Sequence, residues 1–93
     1  MQYVHKYDNE IATVMEFTNE LKDRVYNFVT CNTAADFNHK GEPILIVQTP
    51  KGNQRAVFGD FVVRTATNEF YVYNPEIFHT LYCKLEDYKW LVL

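Results

Sequence analysis

The chain has few cysteines, glycines and prolines, and each scarcity excludes a class of protein. Its 93 residues include two cysteines, three glycines and three prolines. Cys31 and Cys83 are too few for the disulfide framework of a small secreted domain, so we expect free thiols in a reducing cytoplasm. The glycines, at positions 41, 52 and 59, do not have the spacing of a phosphate-binding loop.

Long apolar runs and concentrated positive charge are also missing. No segment approaches the roughly 20 apolar residues of a membrane helix, and we expect no secretory signal. The formal charge is −3, with four basic and seven acidic residues in 1–42 and five of each in 43–93. Nucleic-acid binding needs clustered Lys and Arg. We therefore predict a cytoplasmic protein that binds neither membranes nor nucleic acid.

Aromatic residues, by contrast, are abundant. They make up 16% of the chain, with seven Tyr and seven Phe. A chain of this length buries only a little over ~60% of its unfolded surface, so its core cannot hide every ring. Some rings must lie at the surface, either as core-edge Tyr with a hydrated hydroxyl or as part of an interaction site.

The first half predicts a strand, a long helix and a second strand. Residues 1–7 alternate as a strand, and residues 8–9 offer a helix N-cap. Residues 10–24 are predicted to form the main helix, followed by a strand at 25–31 and a loop at 32–42. The apolar stripe of the predicted helix, at 3.6-residue spacing, is Ile11, Val14, Met15, Thr18, Leu21 and Val25.

The second half predicts antiparallel hairpins and a short helix. The strands are separated by Pro-, Gly- and Asn-containing turns, and the helix starts at Asn74-Pro75, with an apolar stripe reaching Leu85. The predicted strands are 44–49 (buried on both faces), 54–58, 61–65 and 69–73. We predict a single α+β domain, 1–93. Its small curved antiparallel sheet has four to six strands, either open or barrel-like, with one main helix and a short C-terminal helix.

No grouping of residues predicts catalysis, a metal site or a cofactor. His79 and Cys83 are four apart on the predicted last helix, but zinc needs three or four ligands. Cys31, Asp36 and His39 form the one cysteine–histidine grouping that suggests nucleophilic catalysis. Its sequence context, however, offers nothing that would lower the pKa of the thiol. We expect no catalytic residues, no metal and no cofactor.

Two groups of residues suggest binding. In the first, Tyr26, Tyr71 and Tyr73 stack on a nucleotide base. Its phosphate meets Arg55 and Arg64. The second is the apolar tail with Trp90, Leu91 and Leu93, which either folds back as an edge strand or pairs with a second copy in a homodimer.

The corner formed by Gly59, Asp60 and Phe61 predicts a structural turn. Gly59 can adopt positive φ, Asp60 can accept from amides of its own turn, and Phe61 returns to the core. We expect Arg64 to pair with Asp60 or Glu69 across this region.

Residues 58–78 resemble a group of small phage and prophage proteins described by a Pro-Gly-Asp-Tyr-Gly-type motif. The resemblance is carried by Phe58-Gly59-Asp60-Phe61-Val62-Val63-Arg64, Asn68-Glu69-Phe70-Tyr71 and Asn74-Pro75-Glu76-Ile77-Phe78. Phe58 stands where that pattern has Pro, and Asn68 where it has Gly. The resemblance implies a phage context and a fold, and it transfers no reaction.

Three functions follow as hypotheses. The first is a non-enzymatic phage accessory protein that binds and occludes a host protein, such as a defence component, in the bacterial cytoplasm. The second is a binder, or sponge, of a small nucleotide signal. The third is a hydrolase, which nothing in the sequence favours.

Overall fold

The computed structural model describes residues 1–29 and 33–87. The predictions that involve Cys31 and the tail residues Trp90, Leu91 and Leu93 lie outside these ranges. Cys83 is a partly buried free thiol.

The described chain contains eight strands, two helices and a further helical segment at residues 85–87, which confirms the α+β class. The strands are β1 (Gln2–His5), β2 (Ile11–Glu16), β3 (Thr33–Phe37), β4 (Pro43–Thr49), β5 (Gly52–Ala56), β6 (Phe61–Arg64), β7 (Phe70–Tyr73) and β8 (Tyr82–Lys84). The helices are α1 (Lys22–Phe28) and α2 (Pro75–Leu81).

These strands form two antiparallel sheets, whereas the sequence predicted one. The larger sheet has the order β7-β6-β2-β1-β8, and the smaller has the order β3-β4-β5. Within the described residues the strands do not close into a barrel. The segment 10–24, predicted as a helix, contains strand β2 of the larger sheet. The segment 32–42, predicted as a loop, contains strand β3 of the smaller sheet.

Residues 10–24 are not the main helix. The burial of β2 alternates, with Ala12 and Val14 buried and Ile11 and Glu16 exposed. The predicted N-cap is a hairpin turn, in which Asn9 has φ 63° and His5 N donates to Glu10 O at 2.8 Å. The apolar residues of this segment fit both the 3.6-residue period of a helix and the two-residue period of a strand. The strand forms because β1 and β6 supply hydrogen-bonding partners on both sides of β2.

The segment 25–31, predicted as a strand, contributes its first four residues to α1. Thr18 Oγ1 accepts from Leu21 N at 3.1 Å and closes the turn before the helix. Val25 is fully buried, with Leu21 and Phe28 packed beside it, at spacings of four and three residues. Burying this stripe outweighs the strand preference of its β-branched and aromatic residues.

Half of the predicted loop at 32–42 is an edge strand. β3 pairs with β4 through a hairpin in which Asn38 N donates to Glu42 O at 2.9 Å. Asn38 Oδ1 accepts from the amides of Lys40 and Glu42. The central strand β4 buries Leu45 and Val47 but exposes Gln48, so it is less completely buried than predicted.

The second half of the chain follows the prediction more closely. Strands β4 to β7 lie where the hairpin pattern placed them, within a few residues. Helix α2 starts as predicted, with Asn74 Oδ1 accepting from Ile77 N at 2.9 Å. It ends at Leu81, however, and Cys83 lies on β8 opposite Val4. His79 and Cys83 therefore do not share a helix, because backbone pairing with β1 replaces the helical turn.

Two hydrophobic cores lie on opposite faces of the five-stranded sheet. The first is between this sheet, α1 and the small sheet, and its buried residues are Phe17, Val25, Val29, Leu45, Val47, Ala56, Val62 and Phe70. The second is under α2, and its buried residues are Tyr3, Ala12, Val14, Phe61, Val63, Phe78 and Tyr82. Strand β7 serves both cores, because alternate side chains leave it on opposite faces.

Candidate functional site

A cavity of about 290 Å³ opens beside the second core. Four aromatic rings line it, those of Tyr71, Tyr73, Tyr82 and His5. Three carboxylates line it as well, those of Asp8, Glu10 and Glu69. We call this space the tyrosine cavity.

Strand geometry brings the rings together. Tyr71 and Tyr73 are two residues apart on β7, so they leave the same face, with ring centroids 6.1 Å apart and planes 18° apart. His5 pairs with Tyr82 across β1 and β8, and their rings meet edge to face at 5.0 Å. Tyr73 joins the two groups, because its ring lies 5.9 Å from that of Tyr82.

The Tyr73 and Tyr82 side chains are close enough to affect each other's ionisation. Burial raises the pKa of Tyr82 well above its usual value, with further contributions from Tyr73 and Asp8. Burial also raises the pKa of Tyr73, and the neighbouring Tyr82 side chain partly offsets that rise. Both phenols are neutral at physiological pH.

The carboxylates come from two hairpin turns at the mouth of the cavity. In the β1–β2 turn, Asp8 Oδ1 accepts from Glu10 N at 2.9 Å and lies 3.3 Å from His5 Nδ1. In the β6–β7 turn, Glu69 Oε1 accepts from Thr67 Oγ1 at 3.1 Å. Of the side chains that line the cavity, Lys51 is the one with a permanent positive charge.

A second concavity, of about 350 Å³, lies between α1, β3 and β4. Its surface is mainly apolar, and its lining includes Tyr26, Ala35, Phe37, Ile44 and Leu45. Phe37 is 67% exposed and Tyr26 is 47% exposed. We call this concavity the apolar groove. Its charged neighbours are Lys22, Asp23 and Asp36.

The structure divides the predicted nucleotide site. Tyr71 and Tyr73 share the tyrosine cavity, whereas Tyr26 lines the apolar groove. Arg55 is exposed on β5 and lines neither concavity. The guanidinium of Arg64 lies 4.9 Å from the centroid of the Phe28 ring, beside the first core. It therefore stacks on an aromatic ring, whereas the sequence predicted an ion pair with Asp60 or Glu69.

The predicted corner has the expected backbone geometry. Gly59 has φ 98°, and Asp60 Oδ2 accepts from Val57 N at 3.0 Å. Burial raises the pKa of Asp60, and the bond from Val57 partly offsets the rise. Phe61 stacks on Phe78 with centroids 4.1 Å apart and planes 5° apart. The corner also holds Phe17, whose amide donates to Asp60 O and whose carbonyl accepts from Gly59 N, both at 2.8 Å.

The sequence pattern does not predict several of the residues that line the two concavities. It places Tyr82 in a helix and Phe37 in a loop, so neither is expected there. His5 was on a predicted strand, and its alternation with Tyr3 was the signal that could have placed it on the same face as the core. Nothing in the local sequence marks the three carboxylates as site residues, since acidic residues are common in hairpin turns.

No protein-family model, curated protein or solved structure matches this chain. Within residues 1–29 and 33–87, no three His, Cys, Asp or Glu side chains are placed to hold one metal ion. None of the helices described here has the length and apolar character needed to cross a bilayer. The proposals for function are therefore based on the tyrosine cavity and the apolar groove.

Proposed function

We propose that this is a non-enzymatic binding protein that docks a protein partner in the apolar groove. The observation that supports it is the exposure of Phe37 and Tyr26 at the groove's edge. Large aromatic side chains beside an apolar depression are typical of the residues that dominate binding energy at protein interfaces. A partner that inserts an apolar side chain between these rings buries both of them.

Docking in the groove relies on side-chain packing more than on strand addition. β3 is an edge strand of the small sheet, and Asn38 N points to β4, so the amides of Phe37 and Ala35 point the other way. Asp36 Oδ1 already accepts from Phe37 N at 2.8 Å. A charged side chain that occupies an outward amide protects an edge strand from pairing. The apolar floor of the groove is therefore the better binding surface.

The expected partner is a host protein in the bacterial cytoplasm. This part of the proposal depends on the resemblance of residues 58–78 to phage proteins. Occluding a surface of a defence protein needs an exposed apolar interface and no reaction. Self-association through Trp90, Leu91 and Leu93 is a separate prediction, which light scattering of full-length and 1–85 chains would test.

The experiment compares Phe37→Ser with Ile77→Ser. Both positions are exposed, Phe37 at the groove and Ile77 on α2, which does not line it. We expect neither substitution to change the unfolding midpoint greatly. Each protein carries one photo-crosslinking residue at position 23, an exposed position that lines the groove, and host lysate is irradiated with it.

The proposal expects wild-type protein and Ile77→Ser to capture the same host protein, and Phe37→Ser to lose it. The activity of the captured protein is then measured with increasing amounts of each variant, and only Phe37→Ser should fail to inhibit. Equal capture by all three proteins, or capture of nothing by any of them, would contradict docking at the groove.

A further inference from the structure

The tyrosine cavity combines aromatic faces with an excess of negative charge. Its walls are the rings of Tyr71, Tyr73 and Tyr82, and its mouth carries three carboxylates against the single ammonium of Lys51. The face of an aromatic ring is the negative part of its quadrupole, so it attracts a cation placed over it. Rings and carboxylates therefore favour the same sign of ligand charge.

This charge distribution disfavours phosphate ligands. A phosphate group needs Lys or Arg as a counter-charge, and the two predicted arginines lie elsewhere. Asp8, Glu10 and Glu69, which line the cavity, would repel it through a medium that screens them less than bulk water does. The stacked tyrosines that suggested a nucleotide base thus lie in an unsuitable electrostatic setting for one.

A bare metal ion is also disfavoured. The carboxylates lie on two separate turns, and among the described residues they do not converge with His5 into a set of three metal ligands. Carboxylates distributed around an opening suit a larger cation whose donors point in different directions. The volume of about 290 Å³ is close to the lower limit of pockets that enclose small organic molecules.

We infer that the tyrosine cavity binds an alkylammonium cation. The ammonium N–H groups donate to the carboxylates of Glu10, Asp8 and Glu69, while the alkyl carbons lie against the rings of Tyr71 and Tyr73. Such a group can belong to a free aliphatic amine or to a lysine side chain of a partner. This site is independent of the apolar groove, and either proposal can fail without the other.

The test titrates the full chain with 1,4-diaminobutane and follows aromatic side chains by NMR. We expect chemical-shift changes at Tyr71 and Tyr73, and binding that weakens when salt rises from 0.05 to 0.5 M because the carboxylates become screened. 1,4-Butanediol is the neutral control of the same length and should bind at least about tenfold more weakly. N-acetyl-lysine amide distinguishes the sources: binding comparable to the diamine indicates a lysine side chain, and much weaker binding indicates a free amine.

Matched variants localise the effect. Glu10→Gln combined with Glu69→Gln should weaken the diamine about tenfold or more, since two charges are lost at the mouth. Glu20→Gln removes the same kind of charge from an exposed position outside the cavity and should leave binding unchanged. Tyr71→Leu should weaken it about two- to fivefold by removing one aromatic face. The thermal midpoint of each variant establishes that it is folded.

Three results would overturn the inference. The first is no shift at the tyrosines at millimolar diamine, and the second is equal binding of the diamine and the diol. The third is adenosine monophosphate binding to Tyr71 and Tyr73 more tightly than the diamine, which would restore the nucleotide hypothesis.

Discussion

The rings of Tyr73 and Tyr82 lie 5.9 Å apart, although the two residues belong to opposite edge strands. In a flat sheet, β7 and β8 would be four strand spacings, or about 19 Å, apart. The contact therefore requires a strongly curved sheet, whose concave face holds Phe78 of α2. The same curvature creates the tyrosine cavity.

Tyr82→Phe should reduce the free energy of unfolding by about 1 kcal/mol, because it removes the hydroxyl that interacts with the Tyr73 side chain. Urea denaturation at pH 7 measures this loss. Tyr7→Phe is the control, since Tyr7 is 73% exposed and its substitution should have almost no effect. Equal stability of Tyr82→Phe and wild type would indicate that the two hydroxyls do not interact.

The raised pKa of Tyr82 predicts a loss of stability in alkali. An unfolded tyrosine ionises near pH 10. Because the folded pKa is higher, the contribution of Tyr82 is complete below about pH 10 and is lost as the pH rises toward the folded value. Denaturation midpoints between pH 9 and 11 should fall less steeply for Tyr82→Phe than for wild type. Parallel curves for the two proteins would contradict the prediction.

Gly59→Val should destabilise the protein by at least about 2 kcal/mol, because a β-branched residue is strained at positive φ. A Cβ at this position would meet no atom within 4 Å, so the loss comes from backbone strain and not from a clash. Gly59→Asn is the matched control, since Asn tolerates positive φ better, as Asn9 and Asn68 do in this chain. Its loss in a urea titration should be clearly smaller, and equal losses would refute the conformational explanation.

Asp60→Ala should cost about 1 kcal/mol, because the amide of Val57 loses its acceptor. Asp60→Asn keeps an oxygen acceptor at the same place and should cost less. Burial raises the pKa of Asp60, so at neutral pH the charged form also carries a desolvation cost that Asn avoids. The contribution of Asp60 to stability is present below the unfolded pKa of its carboxyl group and is lost as the pH rises through the folded pKa. Denaturation of both variants at pH 4 and pH 7 measures the two losses in free energy of unfolding. A larger loss for Asp60→Asn than for Asp60→Ala would contradict the prediction.

Adjacent positions on α2 should respond very differently to truncation. Phe78 is fully buried and stacked on Phe61 and Tyr82, so Phe78→Ala should cost about 3–5 kcal/mol. Ile77 is 47% exposed, so Ile77→Ala should cost well under that amount. Thermal unfolding of the two variants measures the contrast. Similar losses at both positions would mean that α2 does not pack as described.

Local rules were sufficient for most of the second half of the chain, from β4 to the start of α2. The Asn74-Pro75 start of α2, the positive φ of Gly59 and the common face of Tyr71 and Tyr73 each depend on residues a few positions apart. For the same reason, the sequence alone identified two of the rings in the tyrosine cavity. It could not supply Tyr82, because the segment after Leu81 continues an apolar helical stripe until β1 pairs with it.

The α+β class, the β4–β5 and β6–β7 hairpins and the structural corner at Gly59 were determined by the sequence itself, through turn chemistry and two-residue alternation. Tertiary structure decided the rest. Residues 11–16 fit a helix and a strand equally well by pattern, and they became β2 because β1 and β6 satisfy their backbone groups on both sides. The carboxylates of Asp8 and Glu69 are 61 positions apart in the chain, and they line one cavity because the pairing of β2 with β6 places the β1–β2 and β6–β7 turns at the same end of the sheet. Periodicity describes a segment's own faces, whereas pairing and curvature depend on residues far away in the chain.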